Sequence, residues 1–266
     1  MSYSINLAVD CMGSETPLNE ILEGINESAL RNENLFFYLF GDLKNINTIV
    51  RNISPLNIRS EVIHCSQEIL MTDKPTDAVR LKKKSSMQLS IDHVSSGRSH
   101  AILSCGNTGA LMSIALLKLR TIASIKRPSI ASIWPNIKGE SIVLDLGANI
   151  KNDTTSLIDN AILGSALAKV LFNMVEPSIG LLNVGIEEMK GNENVQRASE
   201  ILSEMSSKKQ LNYYGFVEGA DISNGKTNVV VTDGFTGNVA LKTAEGTAFM
   251  VQSYFKKAFK SSIISK

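Results

Sequence analysis

Two segments of this 266-residue chain repeat one pattern of residue types. Thr232-Asp233-Gly234-Phe235-Thr236-Gly237-Asn238 follows one short apolar run, and Ser104-Cys105-Gly106-Asn107-Thr108-Gly109-Ala110 follows another. Both read as a strand, a GxTG turn and a helix start. Glycine lets the backbone turn tightly and approach a ligand, and a helix N-terminus presents N–H groups at the positive end of its dipole. A phosphate or a developing oxyanion suits such a place. A tight strand–helix connection with a capping threonine accounts for one isolated copy as well. The recurrence, and two further Gly/Asn-rich turns at Asp145–Asn149 and Asn183–Asn192, point to function. In open α/β sheets the ligand crevice lies beyond the carboxyl ends of the strands, where all four turns fall. Lys190 stands between turn residues, placed to meet a phosphate in a cleft; a solvated loop lysine is the alternative.

Other residues carry weaker signals. Asp73 and Pro75, then Arg80, Lys82, Lys83 and Lys84, read as an anion-binding or partner-docking lip, or as a solvated helix face. Cys105 adjoins a GxTG turn, but no histidine stands at a partner's spacing, so a buried small residue is expected there. His64, His93 and His100 form no metal pattern, and no metal or cofactor is expected. The phosphate-loop, dinucleotide, serine-hydrolase and zinc-protease motifs are all absent from the chain.

The elements that must hold these turns are legible as periodicity. Short apolar runs recur at Ile5–Val9, Phe36–Phe40, Glu61–Cys65, Ala101–Ser104, Ile130–Ile133, Ser141–Asp145, Ile179–Asn183 and Val229–Thr232. Runs of this length suit buried strands of a parallel sheet. Helical spacing lies between them, as in Leu18, Ile21, Leu22 and Ile25, or Leu157, Ala161, Ile162, Ser165 and Ala168. Alternating strand and helix predicts an α/β fold with one largely parallel sheet, in a single domain over residues 1–266. From Leu241 the spacing of Ala244, Ala248, Val251, Phe255 and Ala258 predicts one amphipathic helix. Packing in the core or a dimer is preferred for Phe249, Phe255 and Phe259; with Lys256, Lys257 and Lys260 they also suit anionic lipid.

A net charge of +1 leaves no global field to attract nucleic acid, so any charged partner must meet a local patch. Three scattered cysteines suit a reducing, cytoplasmic compartment. The N-terminus has no signal-peptide pattern, and no apolar run approaches the roughly 18 residues of a spanning helix, so membrane contact is expected only from the surface.

Taken in order, the motifs resemble those of one family. Asp10-Cys11-Met12-Gly13 looks like its D-x-M-G turn. Asp73-Lys74-Pro75, Ala78, Arg80 and Lys82–Met87 resemble its D-x-P…A-x-R…KK-x-S-M stretch. Ser104–Met112, Leu144–Asn149, Leu181–Gly185 with Lys190–Glu193, and Thr232–Asn238 follow in family order. The family is the bacterial phosphate acyltransferase of phospholipid synthesis. The resemblance implies transfer of an acyl group from acyl-[acyl-carrier protein] to inorganic phosphate, without a cofactor. It further implies a three-layer α/β/α fold, similar to phosphotransacetylases and isopropylmalate dehydrogenases, in a homodimer peripheral to the inner face of the membrane. Met12-Gly13-Ser14-Glu15 replaces the family's M-G-G-D. Family chains run several tens of residues further, through a Y-G-G-A-type segment and an H-G-x-S turn, so this chain reads as shortened.

On this basis phosphate contact is assigned to Lys190 with Gly106, Asn107, Thr108 and Gly109. Asn238, with Gly234, Thr236 and Gly237, is assigned to the thioester carbonyl, and Asn149 and Asn183 to substrate binding. Carrier-protein docking is assigned to Arg80, Lys82, Lys83 and Lys84, with Lys126-Arg127 and the C-terminal lysines as alternatives. The competing readings are a phosphotransacetylase using acyl-CoA, and an inactive carrier-protein or membrane-binding module of the same fold.

Overall fold

The apolar runs form strands: Gly139–Leu144, Ser178–Leu182 and Val229–Val231, central in their sheet, are mostly buried, while the edge strands Ala101–Ser104 and Ala131–Asn136 are partly exposed. The computed structural model describes residues 5–122, 125–149 and 153–261, with side chains to residue 259. The chain divides into two compact units, Met1–Ser124 and Ile125–Lys266, where the sequence predicts one domain. The predicted single sheet is two sheets, one in each unit.

The first unit runs β1 (Ile5–Asp10), α1 (Leu18–Arg31), β2 (Leu35–Gly41), α2 (Leu43–Val50), β3 (Ser60–His64), α3 (Pro75–Leu81), α4 (Ser86–Ser95), β4 (Ala101–Ser104) and α5 (Thr108–Leu119). Its four strands are parallel in the order β3-β2-β1-β4. Alternation along the strands makes three layers. Val9, Phe37 and Leu39 pack with Leu22, Ile25 and Ala29 of α1 and with Ile46 of α2. Ala8 and Phe40 face the other way, with Leu89 and Val94 of α4. His93 is a core histidine: its ring lies against Tyr38 and Phe40, and its Nδ1 is 2.8 Å from Ser99 Oγ. β4 is an edge strand, and α5 packs on α3 and α4. Cys105, expected to be buried, is therefore exposed just past the end of that strand.

The second unit runs β5 (Ala131–Asn136), β6 (Gly139–Leu144), α6 (Thr154–Phe172), β7 (Ser178–Leu182), α7 (Glu193–Ser207), β8 (Asn212–Val217), α8 (Gly219–Asn224), β9 (Val229–Val231) and α9 (Gly234–Ser261). The sheet order is β5-β6-β9-β7-β8, with β5 antiparallel to β6 and the rest parallel. Sequence reading misses β8, whose Asn-Tyr-Tyr-Gly start breaks the apolar pattern beside a register shift at Ile179/Gly180. Ile142, Leu144, Ile179, Leu181 and Val229 pack under α6 and α7. On the other face Val143, Val217 and Val230 pack with Ile222 of α8, Trp134 and Leu241.

Two helices depart from expectation. α6 has the length and mean hydropathy of a membrane-crossing helix. One face of it seats Leu157, Ala161 and Ala168 in the core and buries the polar Asn160, while Ile162, Val170 and Leu171 on its other side are exposed. α9 begins at Gly234, seven residues before the predicted amphipathic pattern, and from Gly246 onward its apolar side chains, including Phe249 and Phe255, are exposed. Lys260's side chain and residues 262–266 lie outside the described residues.

Candidate active site

In the second unit three predicted turns leave neighbouring strands at one level. Leu144 of β6 and Leu181 of β7 both lie beside Val231 of β9. The turns Asp145–Asn149, Thr232–Asn238 and Asn183–Asn192 therefore share the carboxyl edge of one sheet, the usual ligand position in α/β folds.

Asp145 organises the first two turns. It is fully buried, and its carboxylate accepts from five N–H groups: Ile130, Gly147 and Ala148 to Oδ1, and the backbone and side-chain amides of Asn149 to Oδ2, at 2.8–3.2 Å. The Asn149 side chain also donates to Pro128 O at 2.9 Å, so its amide is spent on the scaffold. The second turn closes onto the first. Gly234 N–H donates to Asn149 O at 3.1 Å, and a Cβ at Gly237 would lie 2.0 Å from Asp145 O. Thr236 donates both its N–H and its hydroxyl to Asp233, which caps α9. Gly237 N–H donates to Asp233 O at 2.9 Å. Gly234, Thr236 and Gly237, assigned above to the carbonyl, thus use these donors within the turn; the two glycines serve close backbone approach. Asn238 is exposed, and its side chain lies against Gly147.

The third turn brings a cation to the same edge. The Asn183 side chain donates to Lys190 O at 3.0 Å, and Gln196 donates to Met189 O at 2.8 Å, fixing the loop to the start of α7. Lys190 folds back over Gly185, where a Cβ would come within 2.5 Å of its Cδ. Its ammonium lies 2.8 Å from Glu187 Oε2, which holds that carboxyl below its usual range. Both side chains are about half exposed. Such a pair is weak, so an incoming anion can displace Glu187 at little cost.

The first unit holds the other predicted turn. Asn107 caps α5 by accepting from Ala110 N–H at 3.0 Å, and its Nδ2 donates to the carbonyls of Leu70, Met71 and Asp73. Gly109 lies against Pro75, and Thr108 is the first residue of α5. The two GxTG copies differ in their caps. Asn107 caps at the third residue of Cys105-Gly106-Asn107-Thr108-Gly109, whereas Asp233 caps from the first residue of the later copy. Of the basic stretch, Arg80, Lys83 and Lys84 are exposed, while Lys82 is paired with Asp73, holding that carboxyl low. Gly13 adopts φ +70° with its Cα packed on Ile69 O, where a Cβ would clash, so the Met12-Gly13 turn requires glycine.

Sequence reading assigns no role to Asp10, which lies behind this turn. Ser104 Oγ donates to Asp10 Oδ2 at 2.8 Å and accepts from Gly106 N–H at 3.1 Å. Burial pushes the Asp10 carboxyl above the usual range, opposed by hydrogen bonds from the Ser104 hydroxyl and Met12 N–H. A raised acid binds its proton more tightly when folded. Its contribution is therefore complete below the unfolded value near 3.9 and declines as pH rises through the folded value. Asp10→Asn should flatten stability against pH across that window and hold neutral-pH stability at or above the parent's. Urea midpoints taken from pH 4 to 8 check this; an unchanged slope sinks it. The signal available for Asp10 and Asp145 is a lone aspartate ending an apolar strand ahead of a glycine turn.

Residues 5–266 match the family model described as "Fatty acid synthesis protein". Over 259 residues the chain is 47% identical to a phosphate acyltransferase of Azorhizobium caulinodans, covering 97% of this chain and 73% of that one. It is 41% identical over 267 residues to a phosphate acyltransferase of Parvibaculum lavamentivorans, covering 100% and 73%. Among solved structures, a phosphotransacetylase from Streptococcus pyogenes superposes with a TM-score of 0.67 at 15% identity, over 92% of this chain and 82% of that one, which shows a shared fold. The chain belongs to the phosphate acyltransferase family, a family of acyl-transfer enzymes.

Proposed function

We propose that this chain moves a fatty acyl group from the thioester of acyl-[acyl-carrier protein] to inorganic phosphate, making acyl phosphate for glycerophospholipid synthesis. The observation that carries the proposal is the level carboxyl edge of β6, β9 and β7, with the Asn238 amide in the first turns of α9 after β9 and the Lys190 ammonium on the loop after β7. Phosphate is anionic at neutral pH and needs little general-base help. One of its oxygens attacks the carbonyl carbon, and the carbonyl π electrons move to oxygen. The tetrahedral oxyanion then collapses, the C–S bond breaks, and the thiolate leaves to take a proton from solvent. A leaving thiol of pKa near 8.5 needs little acid help. The remaining work is positioning and charge stabilisation, which suits a cation and an amide. Lys190 would exchange Glu187 for phosphate, and Asn238 would donate to the developing oxyanion.

The exposed Arg80, Lys83 and Lys84 suit docking of an acidic carrier protein. Exposed Phe249, Phe255 and Phe259 on α9 support an apolar contact in a cytoplasmic homodimer at the inner membrane face.

Lys190→Ala should raise KM for phosphate and lower kcat/KM about a hundredfold. Asn238→Ala should lower kcat by about 10²–10³. Acyl phosphate release from acyl-carrier protein measures both, with acyl-CoA in parallel. Near-parent rates in both folded variants would sink the assignment. A clear preference for acyl-CoA would favour the phosphotransacetylase reading, and carrier binding without product the inactive module.

A further inference from the structure

Within the first unit, a cavity of about 530 Å³ lies between α2 and the carboxyl end of β3. Lys44, Asn47, Thr48 and Arg51 line one side of it, and their spacing of three, four and seven residues puts them on one face of α2. His64, the last residue of β3, lines the other side. Its Nδ1 accepts from Leu43 N–H at 3.4 Å, so a neutral imidazole keeps its proton on Nε2 and offers a donor. Lys44 and Arg51 are exposed, and neither forms an ion pair among the described residues. Asp42 supplies the carboxylate of the lining, and its Oδ1 is engaged by Asn45 N–H at 2.8 Å as the cap of α2.

We propose that this cavity binds a small organic phosphate carrying two or more phosphate groups, with the phosphate chain laid along α2 from Arg51 to Lys44. Two cations that face one cavity without a partner repel each other, and an anion between them turns the repulsion into attraction. Their backbone positions are about 10 Å apart along the helix axis, at a rise of 1.5 Å per residue. A single phosphate held by one of them leaves the other unpaired. A phosphate chain reaches both, and the Asn47 amide donates between them. Guanidinium suits phosphate oxygens as a fork, and ammonium meets them as a point charge. At the Lys44 end, the 44% exposed Leu43 and the His64 ring give apolar and planar surface for the organic part. The volume falls among those of pockets that hold small ligands. The site needs neither Lys190 nor Asn238, so it stands apart from the acyl-transfer reading.

The probe is ADP, titrated calorimetrically into the full chain carrying Lys190→Ala, which removes the cation assigned to phosphate elsewhere. Inorganic phosphate and adenosine are titrated in parallel. ADP should saturate with a Kd below about 1 mM, and phosphate and adenosine should each bind at least about tenfold more weakly. Adding Lys44→Ala and Arg51→Ala together should lower ADP affinity at least about tenfold, the least that one lost charge-assisted contact is worth. Alanine is the best helix former, so α2 should tolerate both changes. Thr48→Glu separates the site from the fold. Its carboxylate would stand four residues after Lys44 and three before Arg51, pairing with both. It should therefore hold or raise the melting temperature while abolishing ADP binding. ADP that fails to saturate by about 5 mM, or that binds undiminished in either variant, overturns the proposal. Inorganic phosphate binding as tightly as ADP overturns the assignment to a phosphate chain.

Discussion

Asp145→Ala should unfold the second unit at a far lower urea concentration than the parent, with a stability loss of about 4–6 kcal/mol. The carboxylate is fully buried and receives five N–H groups. Alanine removes every acceptor at once. A buried donor left without a partner costs about 1–3 kcal/mol, less where water or a shifted loop relieves it. Domains are stable by only about 5–15 kcal/mol, so the loss takes a large share of the total. Asp145→Asn should fall between, since one oxygen remains while its new N–H₂ faces the Asn149 donors. The chain's single tryptophan, Trp134, is partly buried against the second unit's core, so its fluorescence follows that unit in a urea titration. A shift worth under about 1 kcal/mol for Asp145→Ala would contradict the hub role.

Gly237→Ala should be nearly as damaging, through sterics. Its added Cβ would lie 2.0 Å from Asp145 O and 2.9 Å from Thr232 Cγ2. The first of these contacts is backbone, so either α9 or the Asp145 turn must move. Overpacking of this kind costs about 3 kcal/mol. Any movement of α9 carries Asn238 away from Gly147, and misplacing a positioned group by about 1 Å can cost on the order of a hundredfold in rate. Gly246→Ala is the control within the same helix. Its Cβ would meet nothing within 4 Å, so it should stabilise α9 by about 0.5–1 kcal/mol. Equal stability and turnover in the two alanine variants would refute the close-approach argument.

Much of the fold is legible because strands and helices carry their own periods. Eight strands lie at or within a few residues of the predicted runs, and α1 uses Leu22 and Ile25 of its predicted face. β8 is not legible: Asn212-Tyr213-Tyr214-Gly215 has no strand alternation, and pairing with β7 places it in the sheet. Cys105 is misread for a related reason. Its burial depends on whether a helix covers that side of β4, and local residue types carry no record of that.

The candidate site divides in the same way. The amino-acid sequence by itself determined the glycine turns, their places after strands, Lys190 and Asn238 as candidate polar groups, and the ordered motifs of the family. Those are local patterns of one to ten residues, and each has a local physical cause. Only the tertiary structure decided that two sheets replace one, that β6, β9 and β7 end level, and that the N–H groups of Gly234 and Gly237 are already spent. It also showed Asp145 and Asp10 as the buried acceptors behind the turns. A hydrogen-bond partner dozens of residues away leaves no trace in local spacing. Which donors remain for a substrate is therefore a count that can be made only after the chain has folded.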